Sequence, residues 1–366
     1  MSKVLLISSR DVFRPGGELN LMATKANKLN ESGFKTLVLS FRLKGKFEGD
    51  FETQPFQMIE NKSLKDAMNW SYFSDVLKNN TIDIIQFSGI WTYLIWYLHR
   101  KKFLELGISI SLDYQGCLEE LYEYSKGPSK LLKKVLYFIF KKLEKTLYLD
   151  SQIIEVVSNN CIEHLKFCYG ETKAKFVIVP CNVNALISYE NYQLYRKFYR
   201  EKYNIQDGEI SLVYSGGVSP WQNLNELAAF AKKGRYRVFI FSASLNSNVI
   251  KEIFKNCNYE HLSIAVEELN KALCAFDFGV LFRCSNYTNF VAYPNKFAEY
   301  YNARLTTLVT SKDIGFYSSF SDYCLLIQDS SSVLSLDEVI SKPSFNISRI
   351  SMDKLVLELS NEYKCL

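Results

Sequence analysis

Short runs rich in valine, isoleucine and leucine recur through this chain, each parted from the next by a longer amphipathic stretch. In the first half they fall at 4–7, 36–39, 82–87, 108–112, 153–157 and 176–179. After Pro180 the pattern pauses, and a second series follows at 210–214, 237–241, 262–266, 278–282, 306–310 and 324–327. Near-continuous apolar strands separated by helices predict parallel sheets covered on both faces. The two series open alike, each first strand running into a glycine pair and then a helix: Gly16-Gly17 in one, Gly216-Gly217 in the other. The economical architecture is α/β, two Rossmann-like domains with parallel sheets facing across a cleft. The expected divisions are 1–185, 186–345 and a terminal helix, 346–366, returning to the first domain. Between the two series, Tyr189 to Tyr203 reads as a surface helix.

At 366 residues there is length for two cores. A hydrophobic fraction of 48% against 23% charged residues excludes disorder. The net charge of +5 is too small to imply nucleic acid by itself. Nine cysteines at irregular spacing, without a Cys-x-x-Cys pair or a histidine at metal-ligand spacing, read as reduced thiols with no metal site. The apolar run at the N-terminus is too short for a signal peptide, and no segment reaches the ~18 to 20 apolar residues of a membrane span. The expected setting is the cytoplasm.

The strand at 278–282 ends in Arg283, and Pro294 and Asn295 lead into a helix carrying Lys296 and Glu299. Polar groups therefore collect at the carboxyl end of a parallel strand, where open α/β sheets bind ligands. A cation in the first helical turn with an Arg on the preceding strand suits a diphosphate, and a Glu one turn on can accept from sugar hydroxyls. The bland alternative is an exposed i,i+3 pair of Lys296 and Glu299. Arg283 resists it, because an Arg interrupting an apolar strand end needs a partner. Asn289 and Asn295 of the same loop are candidate substrate-binding positions.

In Tyr214-Ser-Gly-Gly-Val-Ser-Pro-Trp-Gln222, the glycines allow a phosphate close to the backbone and Ser215 can donate to it; Ser215, Gly216 and Gly217 are therefore candidates. Gly16 and Gly17 are a weaker instance of the same device. Asp113 ends a strand where a carboxylate can face an acceptor hydroxyl. Glu119 and Glu120 just beyond it suit the dipole of a helix N-terminus. From Lys126 to Tyr148, seven lysines stand against one acid among Leu, Ile, Phe and Tyr, so the stretch can lie on an anionic bilayer as a basic amphipathic helix. Otherwise it is an ordinary helix with a solvated lysine edge. The chain has no Asp-x-Asp pair, Walker loop, Gly-x-Gly-x-x-Gly or Gly-x-Ser-x-Gly elbow, and only three histidines.

The 214–222 segment and Pro294-Asn-Lys-Phe-Ala-Glu-Tyr300 resemble bacterial glycosyltransferases of family 4, of the GT-B fold, especially those building capsular and other surface polysaccharides. Asp113-Tyr-Gln-Gly-Cys-Leu-Glu-Glu120 is similar to an Asp-x-Arg-Gly-x-x-x-Glu-Glu-like segment of that family, with Gln115 in place of Arg and one residue fewer before the acids. The resemblance implies retaining transfer of a sugar from a nucleotide diphosphate sugar, UDP-linked, to a lipid-linked glycan, with no essential metal or other cofactor. By position, Glu299 would bind ribose or sugar hydroxyls, Arg283 and Lys296 would face the diphosphate, and Gly16 and Gly17 would line it from the other domain. Two departures stand out. The family's second Glu, eight residues before Glu299, is Val291 here, and its Arg and Lys after the second-domain glycine are Gly217 and Gln222.

Other readings are a non-catalytic partner or membrane-assembly module of the same fold, and a nucleotide-sugar epimerase or phosphorylase. The histidines are poorly placed for epimerisation. Nucleic-acid binding through the lysine-rich stretch has no recognition motif to support it.

Overall fold

The computed structural model describes residues 2–9, 17–42, 57–181, 185–327, 334, 345 and 352–366. The chain forms two compact units, one of Met1–Val183 with Ile350–Leu366 and one of Asn184–Arg349.

The first unit is a seven-stranded sheet in the order β3-β2-β1-β4-β5-β6-β7, every described pairing parallel. Its strands are β1 (Lys3–Ser8), β2 (Lys35–Arg42), β3 (Gln57–Ser63), β4 (Ile84–Ser88), β5 (Ser109–Tyr114), β6 (Ile153–Val156) and β7 (Lys175–Ile178). The helices between them are α1 (Gly17–Glu31), α2 (Leu64–Ala67), α3 (Trp70–Asn80), α4 (Ile90–Glu105), α5 (Glu120–Glu123), α6 (Pro128–Asp150) and α7 (Asn159–Tyr169). Six of the strands were legible as apolar runs. β3 was not, because Gln-Met-Ile-Glu-Asn-Lys-Ser has too few apolar residues to read as a buried strand; it lies at the sheet edge.

The second unit is a six-stranded parallel sheet in the order β10-β9-β8-β11-β12-β13. Its strands are β8 (Ser211–Ser215), β9 (Arg237–Phe241), β10 (Tyr259–Leu262), β11 (Phe278–Leu281), β12 (Thr306–Val309) and β13 (Cys324–Leu326). Its helices are α8 (Tyr189–Lys202), α9 (Leu224–Gly234), α10 (Ser247–Phe254), α11 (Val266–Leu273), α12 (Tyr287–Val291), α13 (Asn295–Asn302) and α14 (Tyr317–Phe320). Successive side chains of a strand face opposite ways, and the cores follow that period. Leu212, Tyr214, Val238 and Ile240 enter one cluster, with Phe230 and Phe254. Val213, Phe239 and Phe241 enter the other, with Phe276 and Tyr300. The strand expected at 262–266 lies earlier, at Tyr259–Leu262, and Val266 instead opens α11. The apolar run Leu-Ser-Ile-Ala-Val was ambiguous at that length.

The final helix, α15 (Met352–Lys364), belongs to the first unit, where Val356, Leu359 and Tyr363 pack with Val4, Leu6 and Leu29. α8 is more than a surface helix. Its Tyr192 and Tyr199 are buried, and Arg196 donates to the Phe276 carbonyl at 2.7 Å and pairs with Asp277. The lysine-rich α6 buries Tyr137, Phe140, Leu143 and Leu147, and exposes Leu131, Leu132, Val135, Phe138 and Ile139. No helix among the described residues is long and apolar enough to cross a membrane.

Candidate active site

β11 sits between β8 and β12, and the chain leaves its carboxyl end through Phe282 into Arg283. Thr310, just past β12, pins the Arg283 backbone twice: its Oγ1 accepts from the Arg283 N–H at 3.0 Å and donates to the carbonyl at 2.9 Å. The guanidinium donates to the Trp221 carbonyl at 3.1 Å and reaches Asn289 Oδ1 at 3.4 Å. Asn289 in turn donates to the Cys284 carbonyl at 2.8 Å and is 1% exposed. It shapes the loop around Arg283 and does not line the cavity described below.

α13 is held by its apolar face, so its polar residues have little freedom. Phe297, Tyr300 and Tyr301 are buried, and the Phe297 ring stacks on Phe316 with centroids 4.0 Å apart. Tyr300 lies directly over Gly279, where a Cβ would come within 2.4 Å of the ring. Its hydroxyl accepts from the Ser215 N–H at 3.0 Å and donates to the Val280 carbonyl at 3.3 Å. Helix, β8 and β11 are locked together by one side chain.

Lys296 and Glu299 do not pair as the bland alternative had it. The Lys296 ammonium donates to Gln222 Oε1 at 2.7 Å and to the Tyr214 hydroxyl at 3.1 Å, and lies 4.7 Å from the centre of the Tyr214 ring. Ser215 Oγ donates to Glu299 Oε2 at 3.0 Å. Gly216 makes the arrangement possible: at φ +119° it adopts a backbone that L side chains avoid, and a Cβ there would meet Lys296 Cε at 2.5 Å. Gly217 has open space around it, lies outside the cavity wall, and accepts at its carbonyl from the Tyr214 hydroxyl.

Burial pushes the Lys296 amine well below the usual lysine range, with Arg283 adding repulsion and Glu299 offsetting part of it. Burial raises the Glu299 carboxyl, while Ser215 and Lys296 pull it back. Both groups face a cavity of about 510 Å³, walled also by Ser215, Gly216, Arg283 and Asn295. Its far side, from Phe241 and Ala243 to Ile264 and Leu269, is largely apolar, with Ser242 and Ser263 among it. The cavity thus offers an anion the Arg283 guanidinium, the Lys296 amine and the start of α13, and offers apolar wall to the rest of a ligand.

The first unit's candidates stand differently. Gly16 lies outside the described residues, and Gly17 opens α1. Asp113 ends β5 as expected but is not an open base. Its Oδ2 is 3.2 Å from Lys25 Nζ and accepts from Ser88 Oγ and Gln115 Nε2, each at 2.9 Å. Lys25 also pairs with Glu155, and Gln86 ties Glu155 to Tyr363 of α15. The adjoining cavity is about 10 Å³. The sequence reading passed over Lys25, Glu155, Gln86 and Tyr363. A carboxylate inside the apolar strand Ile-Ile-Glu-Val was the signal, since it needs a buried cation.

No protein-family model matches the sequence, and no curated protein is found to resemble it in sequence. Solved structures do resemble it in fold. Sucrose-phosphate synthase from Thermosynechococcus elongatus aligns over 100% of this chain and 99% of its own with a TM-score of 0.68 at 11% identity. A glycosyltransferase from Rickettsia africae aligns over 99% of this chain and 98% of its own, with a TM-score of 0.65 at 14% identity. HepE of Anabaena, solved in complex with UDP, aligns over 100% of both chains with a TM-score of 0.67 at 10% identity. The chain therefore has the two-domain Rossmann-like α/β fold shared with these glycosyltransferases, as its sequence predicts.

Proposed function

We propose that this chain is a glycosyltransferase that takes its sugar from a nucleoside diphosphate donor held in the second unit. One observation carries the reading: Arg283, Lys296 and Glu299 converge on the 510 Å³ cavity at the carboxyl end of β8 and β11. UDP and UDP-glucose are bound by HepE of the same fold, which favours a UDP-linked donor. Arg283 and Lys296 face the diphosphate, Glu299 accepts from hydroxyls of the ribose or the transferred sugar, and the apolar wall of Phe241, Ala243, Ile264 and Leu269 takes the base.

Breaking the anomeric bond leaves negative charge on the departing phosphate oxygen, and fixed donors aimed there lower the barrier. The acceptor oxygen bonds to the anomeric carbon from the same face as that bond breaks, and its proton passes to the departing phosphate. Configuration is retained without a protein nucleophile, in keeping with the family-4 resemblance. Arg283 and Lys296 supply the positive charge that a divalent ion would otherwise bring to the diphosphate, so added Mg²⁺ or Mn²⁺ should leave the rate unchanged.

The acceptor is a lipid-linked glycan, as in surface-polysaccharide synthesis, and α6 brings the chain to it. Leu131, Leu132, Val135 and Phe138 are exposed beside exposed Lys130, Lys133 and Lys134, the pattern of a helix lying at an anionic bilayer. Lys141 contributes less, since it donates to the Tyr137 hydroxyl at 3.0 Å. A non-catalytic partner is the second reading, favoured by Val291, which is buried and apolar where the family pattern has a carboxylate.

Thermal shift against UDP, GDP, CMP and ADP and their sugar conjugates, with Arg283→Ala and Glu299→Ala alongside, tests the donor site. One nucleotide should stabilise the wild type and neither variant. Stabilisation without turnover on any lipid-linked acceptor favours the partner reading, and no stabilisation by any nucleotide overturns the transferase reading and leaves the partner reading in front. Flotation with anionic liposomes, comparing wild type with Lys130, Lys133 and Lys134 changed to Gln, tests the membrane reading.

A further inference from the structure

Away from both clusters, the first unit gathers three side chains of the kinds that bind metals, with a fourth, Cys168, beside one of them. Cys117 and Glu119 lie on the turn between β5 and α5, and His164 and Cys168 stand four apart on α7, one above the other on one face. The irregular cysteine pattern concealed this His-x-x-x-Cys spacing, which corrects the expectation that no histidine stands at such a distance. Cys117, Glu119 and His164 are each about 5% exposed or less, and their ligand atoms lie within 4.8 Å of one another. His164 Nε2 is the common centre, 3.2 Å from Glu119 Oε2 and 3.7 Å from Cys168 Sγ. Glu119 stands at the N-cap of α5, as the sequence suggested, but its carboxylate also meets Tyr137 and His164, while Glu120 stays exposed.

We propose that Cys117, Glu119 and His164 hold a zinc ion that ties the turn after β5 to α7, and that Cys168, beside His164 but outside the group of mutually close ligand atoms, swings in as the fourth ligand. Zinc bonds of about 2.0 Å to nitrogen and oxygen and about 2.3 Å to sulfur set tetrahedral edges of about 3.3 Å for N to O and about 3.6 Å for N to S. The two separations at His164 Nε2 fit those edges. Two thiols with an imidazole select zinc over magnesium or calcium, which require oxygen ligands. Glu119 is oriented from outside, its Oε1 accepting from the Tyr137 hydroxyl at 2.9 Å and leaving Oε2 turned toward His164. The bound ion displaces both thiol protons to solvent and takes the place of the proton between His164 and Glu119. Since Gln115 on the same turn donates to Asp113, the ion would also steady the carboxyl end of β5. The role is structural and separate from donor transfer.

The test is titration of the reduced, full-length chain with Zn²⁺ alone against a chromophoric chelator, and with Co²⁺ followed by absorbance. One ion per chain is expected, with a thiolate-to-cobalt charge-transfer band and the intense visible bands of a tetrahedral site. Cys117→Ser with Cys168→Ser, and separately His164→Gln, should weaken zinc by about 100-fold or more, judged against the 10- to 100-fold typical for outer partners of a metal site. Cys168→Ala alone, at a half-buried position, guards against loss of fold and should still weaken zinc about 10-fold. Cys284→Ser and Cys365→Ser remove exposed thiols outside the cluster and should change nothing. No binding by the wild type, affinity unchanged in the cluster variants, or loss on removing Cys284 or Cys365 would each overturn the proposal.

Discussion

Each sheet gathers charged side chains at the carboxyl ends of its strands, yet the two clusters are settled in opposite ways. In the first unit Lys25 lies between Asp113 and Glu155, all three about 5% exposed or less, beside a space of about 10 Å³. In the second, Lys296 has neutral partners, Tyr214 and Gln222, with Arg283 near enough to repel it, on a cavity of about 510 Å³. A buried cation between two carboxylates has its counter-charge built in. Lys296 has the nearby Glu299, whose pull offsets part of the repulsion from Arg283, and an anionic ligand can complete the compensation. The same position in the same kind of sheet is internally compensated in one unit and, on the function proposed above, receptive in the other.

The contrast is most easily broken at Arg283. Arg283→Ala is expected to cut transfer by about 10³-fold, the scale for one lost donor to developing charge, with little change in unfolding free energy. Comparable losses of stability and activity would mean that Arg283 serves the fold. On the other side, Lys25→Met leaves two buried carboxylates without their cation and should destabilise the chain by about 3 kcal/mol in urea unfolding. UDP binding by the surviving native fraction should be unaffected; if it were lost at full stability, the first cluster would also be a ligand site.

Lys296→Met should do the reverse of Lys25→Met, stabilising the chain by about 1 kcal/mol while weakening diphosphate binding. The pH dependence follows from the depressed amine. Between its folded value and the usual 10.5, the unfolded chain carries a proton at this lysine that the empty folded site does not, so the residue's contribution to stability rises with pH across that window. Denaturation at neutral and at alkaline pH should show that rise in the wild type and a shallower one in Lys296→Met. Because the diphosphate favours the charged amine, UDP binding should take up protons, measurable by calorimetry in buffers of different ionisation enthalpy. The smallest effect is expected from Tyr363→Phe, which removes the hydroxyl joining α15 to Gln86 and Ser111, at about 1 kcal/mol.

Much of the second site was legible because its parts are neighbours in sequence. Arg283 ends an apolar strand, while Lys296 and Glu299 follow Pro294 on one short helix; those facts alone put three polar groups at one strand end. Their partners were not legible. Tyr214 and Gln222 lie more than 70 residues from Lys296, and nothing local to α13 marks them. Asp113 reads as an exposed strand-end acid for the same reason, since Lys25 and Glu155 approach it only once α1 and β6 have packed.

The alternation of strand and helix, its division into two series and the strand end where polar residues collect could be read from the residues, edge strand β3 and the bounds of β10 apart, because period and turn chemistry are local. Tertiary structure alone decided which charges are compensated. That depends on which distant side chains burial brings within a few ångströms, and for a desolvated charge such distances outweigh every local preference.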